Sequence, residues 1–73
     1  MDLVVERDDG AVLAFEVKAA GRVPGGEFGP LRKLRGAVGD PFMAGVVLYT
    51  GTRSYTFEER LHAMPIDRLW TSG

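Results

Sequence analysis

Two carboxylates and a lysine lie close together in the first eighteen residues. Asp2 opens the run Asp2-Leu3-Val4-Val5-Glu6, and Glu16 and Lys18 belong to Phe15-Glu16-Val17-Lys18. Two acids offer hard oxygen ligands for a divalent ion such as Mg²⁺. The backbone carbonyl of Val17 is the natural third donor. A bound ion would activate water and stabilise charge on a phosphate. A lysine beside it can orient or deprotonate that water, or neutralise the developing charge. The chemistry this set suits is metal-dependent phosphodiester hydrolysis. Asp2, Glu16 and Lys18 are the catalytic candidates, and Asp2, Glu16 and Val17 the metal-ligand candidates.

A hairpin must position them. Arg7-Asp8-Asp9-Gly10 separates the two runs. Asp8-Asp9-Gly10 suits a three-residue loop, a type I turn closed by a residue in the left-handed region. That loop pairs Arg7 with Ala11 and sets Asp2 opposite Glu16. Directly opposed residues share a face, with Cβ atoms roughly 4.5–5.5 Å apart. Lys18, two residues on, points the same way. The other face then carries Leu3, Val5, Leu13, Phe15 and Val17, an apolar set ready for burial. A two-residue loop would put Asp2 among those apolar residues, so burial selects the first register.

The rest of the chain supplies a frame. Residues 19–26, Ala-Ala-Gly-Arg-Val-Pro-Gly-Gly, read as a loop, with Gly25-Gly26 a flexible connector. A helix is expected from about Glu27 to Val38, because Phe28, Leu31, Leu34 and Val38 recur at helical spacing. Pro30 fits only its first turn, and Gly39 before Asp40-Pro41 ends it. Phe42–Tyr49 is near-continuously apolar, as in a strand covered on both faces. Strand, helix and strand imply a right-handed crossover between parallel strands. Ser54–Phe57 and Arg60–Met64 read as a short hairpin turning at Glu58-Glu59, and Pro65 opens a last helical turn through Trp70. The fold class is α/β: a small mixed sheet with an N-terminal β-hairpin, a β-α-β crossover and a C-terminal hairpin and turn.

Bulk properties narrow the function. Seventy-three residues make a single domain, residues 1–73. A core this small supplies about 3–5 kcal/mol without a staple. There is no cysteine, which excludes disulfides and zinc-thiolate sites and fits a cytoplasmic location. The longest apolar run is well short of the ~20 residues a membrane span needs, so no membrane role is expected. A net charge of −1 gives no global pull toward nucleic acid.

Taken in order, Asp2-Leu3-Val4-Val5-Glu6, Ala14-Phe15-Glu16-Val17-Lys18-Ala19, Gly45-Val46-Val47-Leu48-Tyr49-Thr50-Gly51 and Met64-Pro65-Ile66…Leu69-Trp70 resemble the C-terminal domain of unknown function found on many prokaryotic AAA+ ATPases. Asp2, the hairpin and Glu16-Val17-Lys18 resemble the core of PD-(D/E)XK nucleases. The resemblance implies a restriction-endonuclease-like partial core, with Mg²⁺ as the candidate cofactor. It also implies that a helix and a strand belong upstream of Asp2, so that the chain reads as a truncated or stand-alone copy. No G-x-x-x-x-G-K-[ST] occurs, so no ATP site of that kind is expected.

Plainer readings stand beside these. Asp2, Glu16 and Lys18 can be a solvated cross-strand charge cluster. Arg32, Lys33 and Arg35 are candidates for phosphate contact, yet a solvated helix face explains them too. His62, the only histidine, reads as a strand-surface residue, and Phe57 and Trp70 as core plugs. The expected function is a nuclease-fold accessory module, inactive on its own, contacting nucleic acid or protein. Its rivals are an active Mg²⁺-dependent nuclease and a small protein-interaction or antitoxin-like partner. An edge strand lacking its upstream neighbour also predicts a homo-oligomer or a partner chain.

Overall fold

The computed structural model describes residues 3–69. β1 (Leu3–Glu6) and β2 (Val12–Lys18) pair antiparallel, with Leu3 opposite Phe15 and Val5 opposite Leu13. Gly10 closes the loop at φ +88°, a conformation that costs a side-chain-free residue nothing. The Arg7 N–H donates to Ala11 C=O, and the Gly10 N–H to Arg7 C=O, both at 2.9 Å. The Asp9 carboxylate accepts from the Ala11 N–H at 3.0 Å and from the Arg7 guanidinium at 2.7 Å. The Arg7 bond, with the backbone bond second, holds that carboxyl below its ordinary range. This is the three-residue loop and the register expected from the sequence.

The connector after β2 is more ordered than its glycines suggest. Gly25–Phe28 form a 3₁₀ turn that runs directly into α1 (Gly29–Val38). The Glu27 N–H donates to Pro24 C=O at 2.9 Å. A Cβ on Gly25 would lie 3.4 Å from the Phe57 ring, so the missing side chain makes room for an aromatic neighbour. That ring stacks on Phe28 at 4.2 Å between centroids. Pro30 sits at the start of α1, and Gly39 ends it at φ +77°, its N–H bonded to Arg35 C=O at 2.9 Å.

β3 (Phe42–Tyr49), β4 (Tyr55–Glu58) and β5 (Leu61–Pro65) complete the sheet, and a 3₁₀ turn, Ile66–Leu69, follows. The strand order is β1-β2-β3-β5-β4. β2, β3 and β5 run parallel, and each edge strand is antiparallel to its neighbour. The β4–β5 turn falls one residue later than expected, at Glu59-Arg60, with Arg60 at φ +62°. The Arg60 guanidinium donates to Phe42 C=O at 2.7 Å and Gly39 C=O at 3.3 Å. It thereby ties the turn to the end of α1 and the start of β3. Trp70 lies outside the described residues.

One expectation is reversed. Paired residues share a face, so Val12, Ala14, Glu16 and Lys18 lie on the same side as Gly45, Val47, Tyr49, Leu61 and Ala63. α1 covers that side: Phe28 and Leu31, both fully buried, join Val12, Ala14, Val47, Leu61 and Ala63 in one core cluster. The apolar set Leu3, Val5, Leu13, Phe15 and Val17 faces the other way. Leu3 is 54% exposed and Val17 48%. The register was right; the side expected to take the helix was not. The reason is steric as well as topological: Ala14 and Gly45 are small, and a Cβ on Gly45 would lie only 3.2 Å from Leu31 Cβ. The helix settles where the sheet lets it approach.

Charged groups fasten the helix to the far edge. Arg32 and Arg35 both hold the Glu58 carboxylate of β4, at 2.8 and 2.6 Å, and Arg35 also donates to Glu59 C=O at 2.7 Å. Hydrogen bonds from Arg32 first, then Arg35, hold the Glu58 carboxyl below the usual glutamate range. The Arg32 bond raises the guanidinium in turn.

Two outcomes are expected. Gly45→Ala forces a methyl against Phe42, Leu61 and Leu31 at 3.0–3.2 Å, and should cost about 1–3 kcal/mol in urea denaturation. Glu58 has a folded pKa below its unfolded one. Its contribution to stability is therefore complete above the unfolded value, about 4.3, and is lost as pH falls through the folded value. Glu58→Gln should lower the urea midpoint at pH 7 and flatten the acid limb of the stability–pH curve; parallel acid limbs in the two proteins would contradict this.

Candidate functional site

The site is built from the last residues of β2. Glu16 pairs with Val47 and Lys18 with Tyr49 in the parallel ladder, which puts both side chains on the helix-covered side. Both are half-buried, whereas Val17 points to the open side and is exposed. The position is the carboxyl end of the parallel strands, the edge at which open α/β sheets place their ligands.

Lys18 does not stand alone. Its Nζ lies 3.1 Å from Oε1 of Glu27, an acid in the 3₁₀ turn before α1. The sequence reading missed Glu27, because nothing in linear spacing joins positions 18 and 27. The loop between them returns over the end of the sheet: the Thr50 N–H at the end of β3 donates to Ala20 C=O at 3.0 Å. Both partners of the ion pair are more than a third exposed on their side chains. Solvent screening keeps its worth within about 1 kcal/mol. What it supplies is a partner that draws the ammonium toward the 3₁₀ turn entering α1.

The predicted constellation is only partly in view. Glu16, Val17 and Lys18 stand where the hairpin register requires, and Asp2 lies outside the described residues. Among the described residues, no three acids or histidines gather around one point. Two of the basic residues of α1 are engaged away from the site: Arg32 and Arg35 are turned toward Glu58 on the opposite edge. His62 sits on the open face, its Nδ1 3.0 Å from Thr56 Oγ1. Phe57 is not a core plug but a half-exposed lid on Phe28.

Next to the ion pair, at the carboxyl ends of β3 and β5, a cleft of about 330 Å³ opens between Tyr49, Thr50, Thr52, Pro65 and Asp67. The Tyr49 ring lies tightly over Gly51, where any Cβ would overlap it, and its hydroxyl donates to Arg53 C=O. Lys18 is paired with Tyr49 in the ladder, so ion pair and cleft share one edge of the sheet. Among the described residues, no helix is long and apolar enough to cross a membrane.

A family model described as a domain of unknown function, DUF4143, matches residues 1–69. No curated protein and no solved structure matches the chain. The match takes in the hairpin, the helix, the parallel strands and the Glu16-Val17-Lys18 segment together, and the chain therefore belongs to the DUF4143 family.

Proposed function

We propose that this domain is a nuclease-fold accessory module, of the kind that follows AAA+ ATPases, and that it does not cleave nucleic acid by itself. Hairpin, helix and parallel strand follow in the order such a core requires, with Glu16 and Lys18 on the strand that leads into the helix. The observation that carries the inactive reading is the Lys18–Glu27 contact at 3.1 Å. A lysine that assists water or a phosphate must present its ammonium to them. Here a carboxylate of the same chain takes that place.

The donors around Glu16 suit a hard cation. Its carboxylate and the Val17 carbonyl are oxygen ligands of the type Mg²⁺ accepts, and Asp2 would complete the set. When bound, such an ion supplies an activated water and charge stabilisation. Lys18, held by Glu27, would then fix the direction of the nearest positive charge. The module's own work, on this reading, is contact with nucleic acid or with a protein. A protein-interaction role is favoured by a separate observation, the exposed apolar side chains of Leu3, Val5, Val17 and Met64 on the side of the sheet away from α1.

Purified protein should show no appreciable cleavage of single- or double-stranded DNA or RNA with Mg²⁺ or Mn²⁺ at millimolar concentration. Cleavage that disappears in Lys18→Ala would replace this reading with that of an active Mg²⁺-dependent nuclease. The metal site is tested separately by melting. A native-state ligand at ten times its Kd adds about 1.4 kcal/mol, so the ion should raise the Tm, and Asp2→Asn with Glu16→Gln should abolish the rise. A melting curve indifferent to the ion removes the metal site and leaves the fold untouched.

A further inference from the structure

Two loops meet at the carboxyl ends of the parallel strands. Residues 19–24 leave β2, and residues 50–54 leave β3. The Thr50 N–H donates to Ala20 C=O at 3.0 Å, and a Cβ on Gly51 would lie 2.9 Å from the Gly21 carbonyl oxygen. The Tyr49 hydroxyl fixes the far end of the second loop by donating to Arg53 C=O. Each loop carries one arginine, Arg22 and Arg53, and both are exposed. They differ from Arg7, Arg32, Arg35 and Arg60, each of which meets a carboxylate of its own chain. Among the described residues, no carboxylate meets Arg22 or Arg53.

We propose that this edge binds a phosphate group between Arg22 and Arg53. The backbone path limits their separation. At about 3.3–3.6 Å per extended residue, the approach of Gly21 to Gly51 keeps the two Cα atoms within roughly 15 Å. Two arginine side chains with an anion between them span that gap, and a guanidinium offers phosphate oxygens paired N–H donors in a fixed fork. Thr50 and Thr52 add hydroxyl groups on the wall of the adjoining cleft of about 330 Å³, a volume within the range of small-ligand sites. The carboxylates near this edge are accounted for. Glu27 is drawn to Lys18, Glu16 and Asp67 make contacts of their own, and Asp67 follows β5, two strands from the β2 end that leads to Arg22. A net charge of −1 gives no long-range pull, so affinity rests on this local pair. The phosphate can belong to a nucleic-acid strand or to a free nucleotide, because the recognising chemistry is the same. Neither the metal ligands nor cleavage enters this site.

Amide NMR in EDTA at matched ionic strength tests this, with inorganic phosphate, AMP and a DNA single strand of about twenty nucleotides as probes. Phosphate should move the amides of residues 20–22 and 50–53. Arg22→Ala with Arg53→Ala removes two exposed side chains that hold no carboxylate, and should weaken every probe at least about ten-fold. Lys33→Ala, which removes an exposed cation from α1, should change nothing. Far-UV circular dichroism and urea unfolding establish that each variant is folded. The two sources separate by their response to salt. A strand that binds more tightly than free phosphate, with a log–log salt slope reduced by about 1.4 in the double variant, supports the site and identifies nucleic acid. AMP bound as tightly as the strand supports the site and identifies a free nucleotide. Probes that leave these amides unmoved overturn the proposal. An affinity unchanged by the double substitution, or reduced equally by Lys33→Ala, also overturns it, since either result describes diffuse charge and not a site.

Discussion

One helix can cover only one side of a sheet, and the rest of this structure follows from where α1 settles. Phe28 and Leu31 enter a cluster made by Val12, Ala14, Val47, Leu61 and Ala63, and they do so because Ala14 and Gly45 leave space at the contact. Burying two large side chains there removes several kcal/mol of apolar exposure, a large share of what a domain this small can gather. On the opposite side, Val46 and Leu48 of the central strand are still buried, while Leu3, Val5, Val17 and Met64 around them are exposed. The seat of α1 also leaves β1 exposed on both faces, since Val4 on the helix side is 50% exposed.

Polar contacts refine this arrangement more than they drive it. Arg32 and Arg35 reach past the hydrophobic contact to Glu58, and Arg60 bonds the carbonyls of Gly39 and Phe42. Together they hold the helix to the β4 edge of the sheet and to the start of β3. The Arg32–Glu58 pair is solvent-exposed and weak, the Arg35–Glu58 pair is partly buried, and both turn their arginines toward β4.

The candidate site inherits its geometry from the same placement. Glu16 and Lys18 are at the carboxyl end of β2 on the helix side, where the 3₁₀ turn entering α1 brings Glu27 to Lys18. Had the helix covered the other face, both residues would lie on open sheet with no second element above them. The half-buried setting and the fixed lysine are therefore products of the crossover, not of the hairpin alone. Membership of DUF4143 places this arrangement in a family of unknown function.

Much of the fold was legible in the residues themselves. Asp8-Asp9-Gly10 determined the hairpin loop and its register, because only one loop length keeps alternation in phase across both strands. Pro30 and Gly39 bounded the helix, and the apolar run Phe42–Tyr49 announced the central strand. These are short-range effects, decided by backbone sterics and by period. What the sequence could not decide was sidedness. The more apolar face of the hairpin, Leu3, Val5, Leu13, Phe15 and Val17, was the natural choice for the helix, and the structure seats α1 on the other. Hydrophobic pattern counts apolar groups but does not know on which side a crossover passes or where a small residue admits a helix. The Lys18–Glu27 contact was hidden for the same reason: it joins residues nine apart through a loop whose path is set by tertiary packing. Local chemistry wrote the strands and turns, and the seat of one helix decided which of their side chains meet.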